Sequence, residues 1–135
     1  MSYPIEEIEG IGPACRAKLE AAGVRTTEDL LEKAASRKGR DRLAEATGIS
    51  EKLILSWVNL ADLMRVKGIG RQFSELLHAA GVDTIKELRV RNAANLAEAI
   101  ATANATRKLA KAVPSEGQVA AYIEAAKAIE PLVTH

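Results

Sequence analysis

Cysteine is nearly absent from this chain. Cys15 stands alone, so an intramolecular disulfide and a cysteine-rich zinc site are both excluded, and a reducing compartment fits. Aromatic residues are also scarce, with one Trp, two Tyr and one Phe in 135 residues. Aromatic and β-branched side chains favour pleated sheets, whereas this chain is rich in Ala, Leu and Glu, so the composition predicts helices and no sheet. No run approaches the roughly 18 apolar residues of a membrane span, and the N-terminus lacks a basic, long-apolar leader pattern. The cytoplasm is the expected compartment, and no membrane partner is expected.

A large charge excess is missing too. The formal net charge is +1, which by itself argues against a strongly basic nucleic-acid binder. The charges are unevenly spread, however. Residues 1–36 hold four basic and seven acidic groups, whereas residues 37–111 hold fourteen basic and eight acidic ones. The middle of the chain is its basic part. With 47% apolar residues, the length suits one ordinary domain or two small ones.

What is present is a repeat. Residues 8–30, reading IEGIGPACRAKLEAAGVRTTEDL, return 58 positions later as VKGIGRQFSELLHAAGVDTIKEL over 66–88, with ten identities in 23 positions, every glycine among them. This pattern predicts one backbone design used twice. In each copy a Gly-Ile-Gly turn, Gly10 to Gly12 or Gly68 to Gly70, precedes a helix, about Pro13 to Ala22 or Arg71 to Ala80. Gly23 and Gly81 are placed for left-handed C-terminal caps, anchored by Val24 and Val82. Thr26 with Asp29, and Thr84 with Glu87, have capping-box spacing.

Before the first turn, Tyr3 to Ile8 reads as a short helical turn with Pro4 near its start. Further along, helices are expected up to Gly48, from Ser50 and Glu51 to about Arg65, from about Asn92, and after Ser115 and Glu116. Trp57 and Tyr122 fall at equivalent places, and packing in the core outweighs base stacking for both. Their offset has grown to 65, so the second copy should carry about seven extra residues, placed around Thr102 to Thr106. The resulting fold class is all-α: two five-helix units, 1–64 and 65–135, packed as one compact body and joined by the helix at about 51–65.

An apolar residue followed by x-Gly-Ile-Gly between helices resembles the helix-hairpin-helix motif, in both copies. AAGVRTTEDL and AAGVDTIKEL are similar to the helical C-terminal domain of the α chain of bacterial RNA polymerase. Over its whole length the chain resembles a bacterial family of paired helix-hairpin-helix-like domains of unknown function. The resemblance implies sequence-independent binding of the sugar-phosphate backbone and a monovalent cation held by hairpin carbonyls. The physical basis would be glycines that leave the next helix's amides bare to an anion, worth about 0.3 to 1 kcal/mol, or ~2 when partly buried.

The copies depart from that motif differently. Where it usually has a small alanine, this chain has Arg16 and Ser74, and where it often has lysine stand Ala14 and Gln72. Glu6, Glu7 and Glu9 flank the first turn and would repel a phosphate, so Gly10, Ile11 and Gly12 form the weaker candidate. At the second turn, Arg65, Lys67 and Arg71 surround Gly68, Ile69 and Gly70 without an intervening acid in the sequence. The candidate nucleic-acid-binding residues are therefore Arg65, Lys67, Gly68, Ile69, Gly70, Arg71 and Ser74, extended by Arg89 and Arg91. Arg107, Lys108 and Lys111 could lengthen that surface, and Arg37, Lys38, Arg40 and Arg42 form a further basic cluster.

The reading is a non-catalytic module that grips nucleic acid, DNA favoured over RNA. Its alternative is a protein-interaction or scaffold module of the same fold, and the turns could equally serve packing alone. No catalytic or metal-ligating set is expected, because the carboxylates are scattered and neither His78 nor His135 is matched with a nucleophile. Apart from the cation, no cofactor is expected, and a monomer is favoured.

Overall fold

The computed structural model describes residues 2–135. Among them are a 3₁₀ turn, Ile5–Glu7, and eight α-helices: α1 Pro13–Ala21, α2 Thr27–Ala34, α3 Arg37–Thr47, α4 Glu51–Leu63, α5 Arg71–Ala79, α6 Ile85–Leu88, α7 Ala93–Arg107 and α8 Glu116–Lys127. The all-α expectation holds, and there is no strand among the described residues. A single isolated bridge joins Pro4 to Thr26, where Ile5 N–H donates to the Arg25 carbonyl and Thr27 N–H to that of Tyr3. Among the described residues, no helix is long and apolar enough to cross a membrane.

Local chemistry accounts for the helix ends. Gly23 and Gly81 take φ of 87° and 94°, and in each case the following valine N–H reaches back to a leucine carbonyl, Val24 to Leu19 and Val82 to Leu77. This is the Schellman arrangement, with both valines fully buried as the apolar anchor. Thr26 and Asp29 form a complete capping box on α2. The corresponding box on α6 is only half made: the Thr84 hydroxyl accepts from Glu87 N–H at 3.4 Å, while the Glu87 side chain does not return the bond. Instead, the first amide of α6, Ile85 N–H, donates to the buried Asp62 carboxylate of α4 at 2.8 Å. Helix α4 stops two residues short of the expected Arg65, as Arg65 N–H and Val66 N–H close tighter turns onto Asp62 and Leu63.

Two hydrophobic clusters form, one on each side of α4. The first gathers Ile5, Ile8, Ile11 and Leu19 with Leu30, Leu43, Ile54, Trp57 and Met64; the second gathers Leu63, Val66, Ile69, Leu76, Leu77, Leu88, Leu96, Ile100 and Ile123 among others. Helix α4 packs on α2, α3 and α5, whereas α8 packs on α6 and α7. The C-terminal segment crosses back to the first cluster: Val133 packs against it, and Thr134 N–H donates to the Ala35 carbonyl.

The extra residues of the second copy are distributed differently from the expected insertion at Thr102 to Thr106. The N-caps Ser36 and Asn92 are 56 apart, the left-handed C-caps Gly48 and Lys108 are 60 apart, and the N-caps Ser50 and Ser115 are 65 apart. Helix α7 is thus longer than α3, and the largest addition is the loop at 109–114. Asn104 braces that loop, donating to and accepting from the Ala110 backbone at 2.9 Å each.

Arg40 is fully buried, so it is no part of a basic surface. Its guanidinium donates to Glu51 at 2.8 Å, to the carbonyls of Ala34 and Ala35 at the end of α2, and to Thr134 at 2.7 Å. A buried cation is tolerable only with such complete partnering. Neighbouring Arg37 pairs with Asp41 and Glu51, leaving Lys38 and Arg42 exposed.

Candidate functional site

The two Gly-Ile-Gly turns share one backbone. Gly10 and Gly68 both have φ of 96°, a conformation that side chains disfavour. Ile11 N–H closes onto the Ile8 carbonyl at 3.3 Å, and Ile69 N–H onto that of Val66 at 3.0 Å. Ile11 and Ile69 point into the two cores, as expected of anchors. Beneath each turn lies the aromatic residue at the equivalent place in the later helix: Trp57 Nε1 is 3.4 Å from where a Cβ on Gly10 would stand, and Tyr122 Cε1 is 3.3 Å from one on Gly68. Tyr122 is also tilted against Phe73, with ring centroids 5.9 Å apart. Trp57 is buried and Tyr122 partly buried, so both serve packing.

The second glycines differ in kind from the first. Gly12 and Gly70 have φ of −87° and −104°, within ordinary extended backbone, and no atom lies within 4 Å of a Cβ built on either. The folded chain itself therefore places no steric demand for glycine at these positions. Each begins a helix without a side-chain cap. On α5 the amides of Gly70, Arg71, Gln72 and Phe73 have no acceptor among the described residues, and these four residues line an open depression of about 300 Å³. On α1, Pro13 removes one of the four donors.

Side chains around the second turn are less free than their sequence suggests. Arg65 Nη1 is held by Asp62 at 3.0 Å, in a largely buried pair. Arg71 donates through Nε to Glu9 Oε2 at 2.8 Å, and its Nη2 lies 2.7 Å from the same oxygen. An acid from the first turn thus reaches the second, bringing the two turns side by side. Lys67 is exposed and has no ion-pair partner among the described residues. Ile69 is buried. So is Ser74, whose hydroxyl donates to the Arg71 carbonyl, so neither presents a side chain to solvent. Arg89 donates to the Lys127 carbonyl near the end of α8, and Arg91 is partly buried. Asp62 and Glu9 therefore place acids among the cations around the second turn.

The first turn is more acidic and more tightly paired. Arg16 is exposed and bonded to Glu6 at 2.8 Å and Glu20 at 3.1 Å. Only a 3₁₀ turn precedes α1, where Arg16 is exposed, whereas α5 packs on α4 and its Ser74 is buried. Glu75, one turn beyond Arg71, is partly buried. Its carboxyl is pushed above the usual range, first by desolvation and then by the nearby Glu9, with Arg71 and Arg107 opposing.

Three placements had no signal in the repeat. The Glu9–Arg71 pair joins residues 62 apart in sequence, Asp62 serves two partners from within a helix, and Arg40 lies inside the protein. Among the described residues, no group of three or more His, Cys, Asp or Glu side chains could hold a metal ion. Exposed His78 pairs with Asp83 at 2.6 Å.

No curated protein and no solved structure matches the chain. The family model described as Domain of unknown function (DUF4332) matches residues 9–129, and the chain belongs to that family.

Proposed function

We propose that this protein is a non-catalytic module that binds the nucleic-acid backbone, DNA in preference to RNA, without reading sequence. In this reading its halves, 1–64 and 65–135, are paired helix-hairpin-helix units akin to the C-terminal domain of the RNA polymerase α chain. The observation that carries it is Gly70. Neither its φ nor its surroundings require glycine, yet it opens a helix whose first four amides lack acceptors. A missing side chain at that point makes physical sense if something outside the chain must approach those donors, and a phosphate oxygen suits them. Lys67 adds a free cation, and Arg71 a second once released from Glu9.

With few cations around an open depression, affinity in isolation belongs with non-specific binders, around 10⁻⁴ to 10⁻⁶ M at physiological salt. Titrating labelled DNA duplex and single strands at rising salt tests the proposal. Binding should appear at low salt and weaken as salt rises. Gly70→Ala should reduce it while leaving the fold intact, and Lys67→Glu with Arg71→Glu should abolish it. The idea fails if nothing binds at low salt, or if the charge reversal changes nothing.

A second reading, protein interaction, is favoured by a specific groove of about 710 Å³. Leu31, Ala35, Ile129 and Leu132 supply its apolar lining, and Glu28, Glu32 and Arg65 its charges. Light scattering and crosslinked pull-down distinguish it: a stable complex or dimer that covers the second turn is incompatible with a free phosphate site.

A further inference from the structure

The Glu9–Arg71 pair is the contact that joins the two turns, and its position is unusual. Arg71 is the first residue of α5, so its guanidinium sits at the end of the helix where the amides of Gly70 to Phe73 lie open. Glu9 comes from the residue just before the first turn. Nε donates to Oε2 and Nη2 approaches the same oxygen, so the parallel two-oxygen fork is unmade. About half of each side chain remains exposed, 50% for Arg71 and 42% for Glu9, so solvent ions can reach the pair. The nearby Asp62–Arg65 pair is the opposite case, with its acid buried and further committed to the Ile85 amide. One pair is fixed by burial, and the other can exchange.

We propose that Glu9 is a built-in competitor for the phosphate: its carboxylate occupies Arg71, a bound strand must displace it, and the first turn thereby lowers the affinity of the second. This rests on the backbone-binding reading above. It also gives the acidic first turn a role, since a duplicated anion site with Pro13 in place of a donor and glutamates around it is poorly made to bind phosphate itself. Glu75, partly buried four residues beyond Arg71 on α5, adds a second acid close to that arginine. A partner with many phosphates, bound also at Lys67, can displace Glu9 more readily than an isolated anion can, because its further contacts remain in place during the exchange.

The test is a titration of the full chain with a short fluorescent DNA duplex at low salt, using wild type, Glu9→Gln, Arg71→Gln, the double variant and Glu7→Gln. Circular dichroism checks that each variant is folded. Breaking a half-exposed pair predicts about two- to five-fold tighter binding for Glu9→Gln, as expected for the strength of such surface pairs. Arg71→Gln should weaken binding, and the double variant should match Arg71→Gln alone, because without the arginine there is nothing for Glu9 to occupy. Glu7→Gln removes the same charge from an exposed neighbour and should give a smaller gain than Glu9→Gln. If wild type binds but Glu9→Gln binds no tighter, or gains equally in the Arg71→Gln background, the competitor role is overturned and backbone binding stands. If no variant binds, including the released one, both are overturned.

Discussion

The two Gly-Ile-Gly turns have the same φ at Gly10 and Gly68, the same closing hydrogen bond, and an aromatic ring underneath each, yet their surroundings have diverged. The first starts its helix with Pro13, exposes Arg16 within a cage of glutamates, and follows only a 3₁₀ turn. The second follows a 13-residue helix, starts with Arg71, buries Ser74, and leaves Lys67 without an ion-pair partner among the described residues. Backbone geometry and the charges around the turn are therefore separable. A positive φ holds the first glycine of each turn, and at Gly68 an added Cβ would also press on Tyr122 at 3.3 Å. The second glycine and the charges carry no such constraint from the fold.

The sharpest contrast between the halves lies at the fourth residue of α3 and α7. Counted from the N-caps Ser36 and Asn92, this position is Arg40 in one half and Leu96 in the other, both fully buried. Arg40→Ala should give the largest effect of those considered, about 3–5 kcal/mol less stable in urea unfolding, because Glu51 and three carbonyls lose their donor. If the variant lost under about 1 kcal/mol, the clamp on the C-terminal segment would have little energetic weight.

The glycines offer a cleaner way to break the comparison. Gly68→Ala should cost more than about 1 kcal/mol, since the added Cβ takes a positive φ and lies 3.3 Å from Tyr122. Gly70→Ala should change stability by less than about 1 kcal/mol, because its φ suits any residue and its Cβ meets nothing. Thermal melts of the pair, beside the duplex titration, would show whether the second glycine is tied to binding or to folding. An equal loss of stability in both would remove the argument drawn from Gly70.

The caps come next in size. Thr26→Ala should cost about 1 kcal/mol and exceed Thr84→Ala, because only the first box is reciprocal and Asp62 supports α6 independently. Asp29 adds a pH signature. Its carboxyl lies below the usual range, chiefly through the Arg25 amide, with Thr26 and Lys33 assisting and burial opposing. A carboxyl lowered in the folded state contributes stability above its unfolded value, and this is lost as pH falls through the folded value. Asp29→Asn should therefore flatten the acid limb of the stability profile. Glu75 has the reverse sign: with its folded value raised, stability declines as pH climbs through that raised value, and Glu75→Gln should remove the decline. The smallest effect is expected at Lys108, which takes φ of 53° where the first half has Gly48. Lys108→Gly should raise stability by roughly 0.5–1 kcal/mol by relieving that conformation.

Much of the local structure was legible because it depends on neighbours in the chain. The glycine caps with Val24 and Val82, the Thr26 box, the turn anchors Ile11 and Ile69 and the burial of Trp57 all follow from spacing within one or two turns. The Thr84 box misled, since Glu87 has the right spacing but α6 is only four residues long and takes a capping carboxylate from α4 instead. The candidate site was legible as a backbone and much less so as a surface of charge. Arg65, Lys67 and Arg71 read as three free cations, and two of them are paired, one with an acid three residues earlier in α4 and one across the fold.

Sequence alone determined the duplicated turn, the helical class and the basic middle of the chain, because these arise from backbone conformational limits, short-range periodicity and composition. The tertiary structure decided which charges remain available. Packing brings Glu9 to Arg71, buries Arg40 against the C-terminal segment and commits Asp62 to two donors, and such long-range electrostatic pairings leave no local periodic signature in the chain.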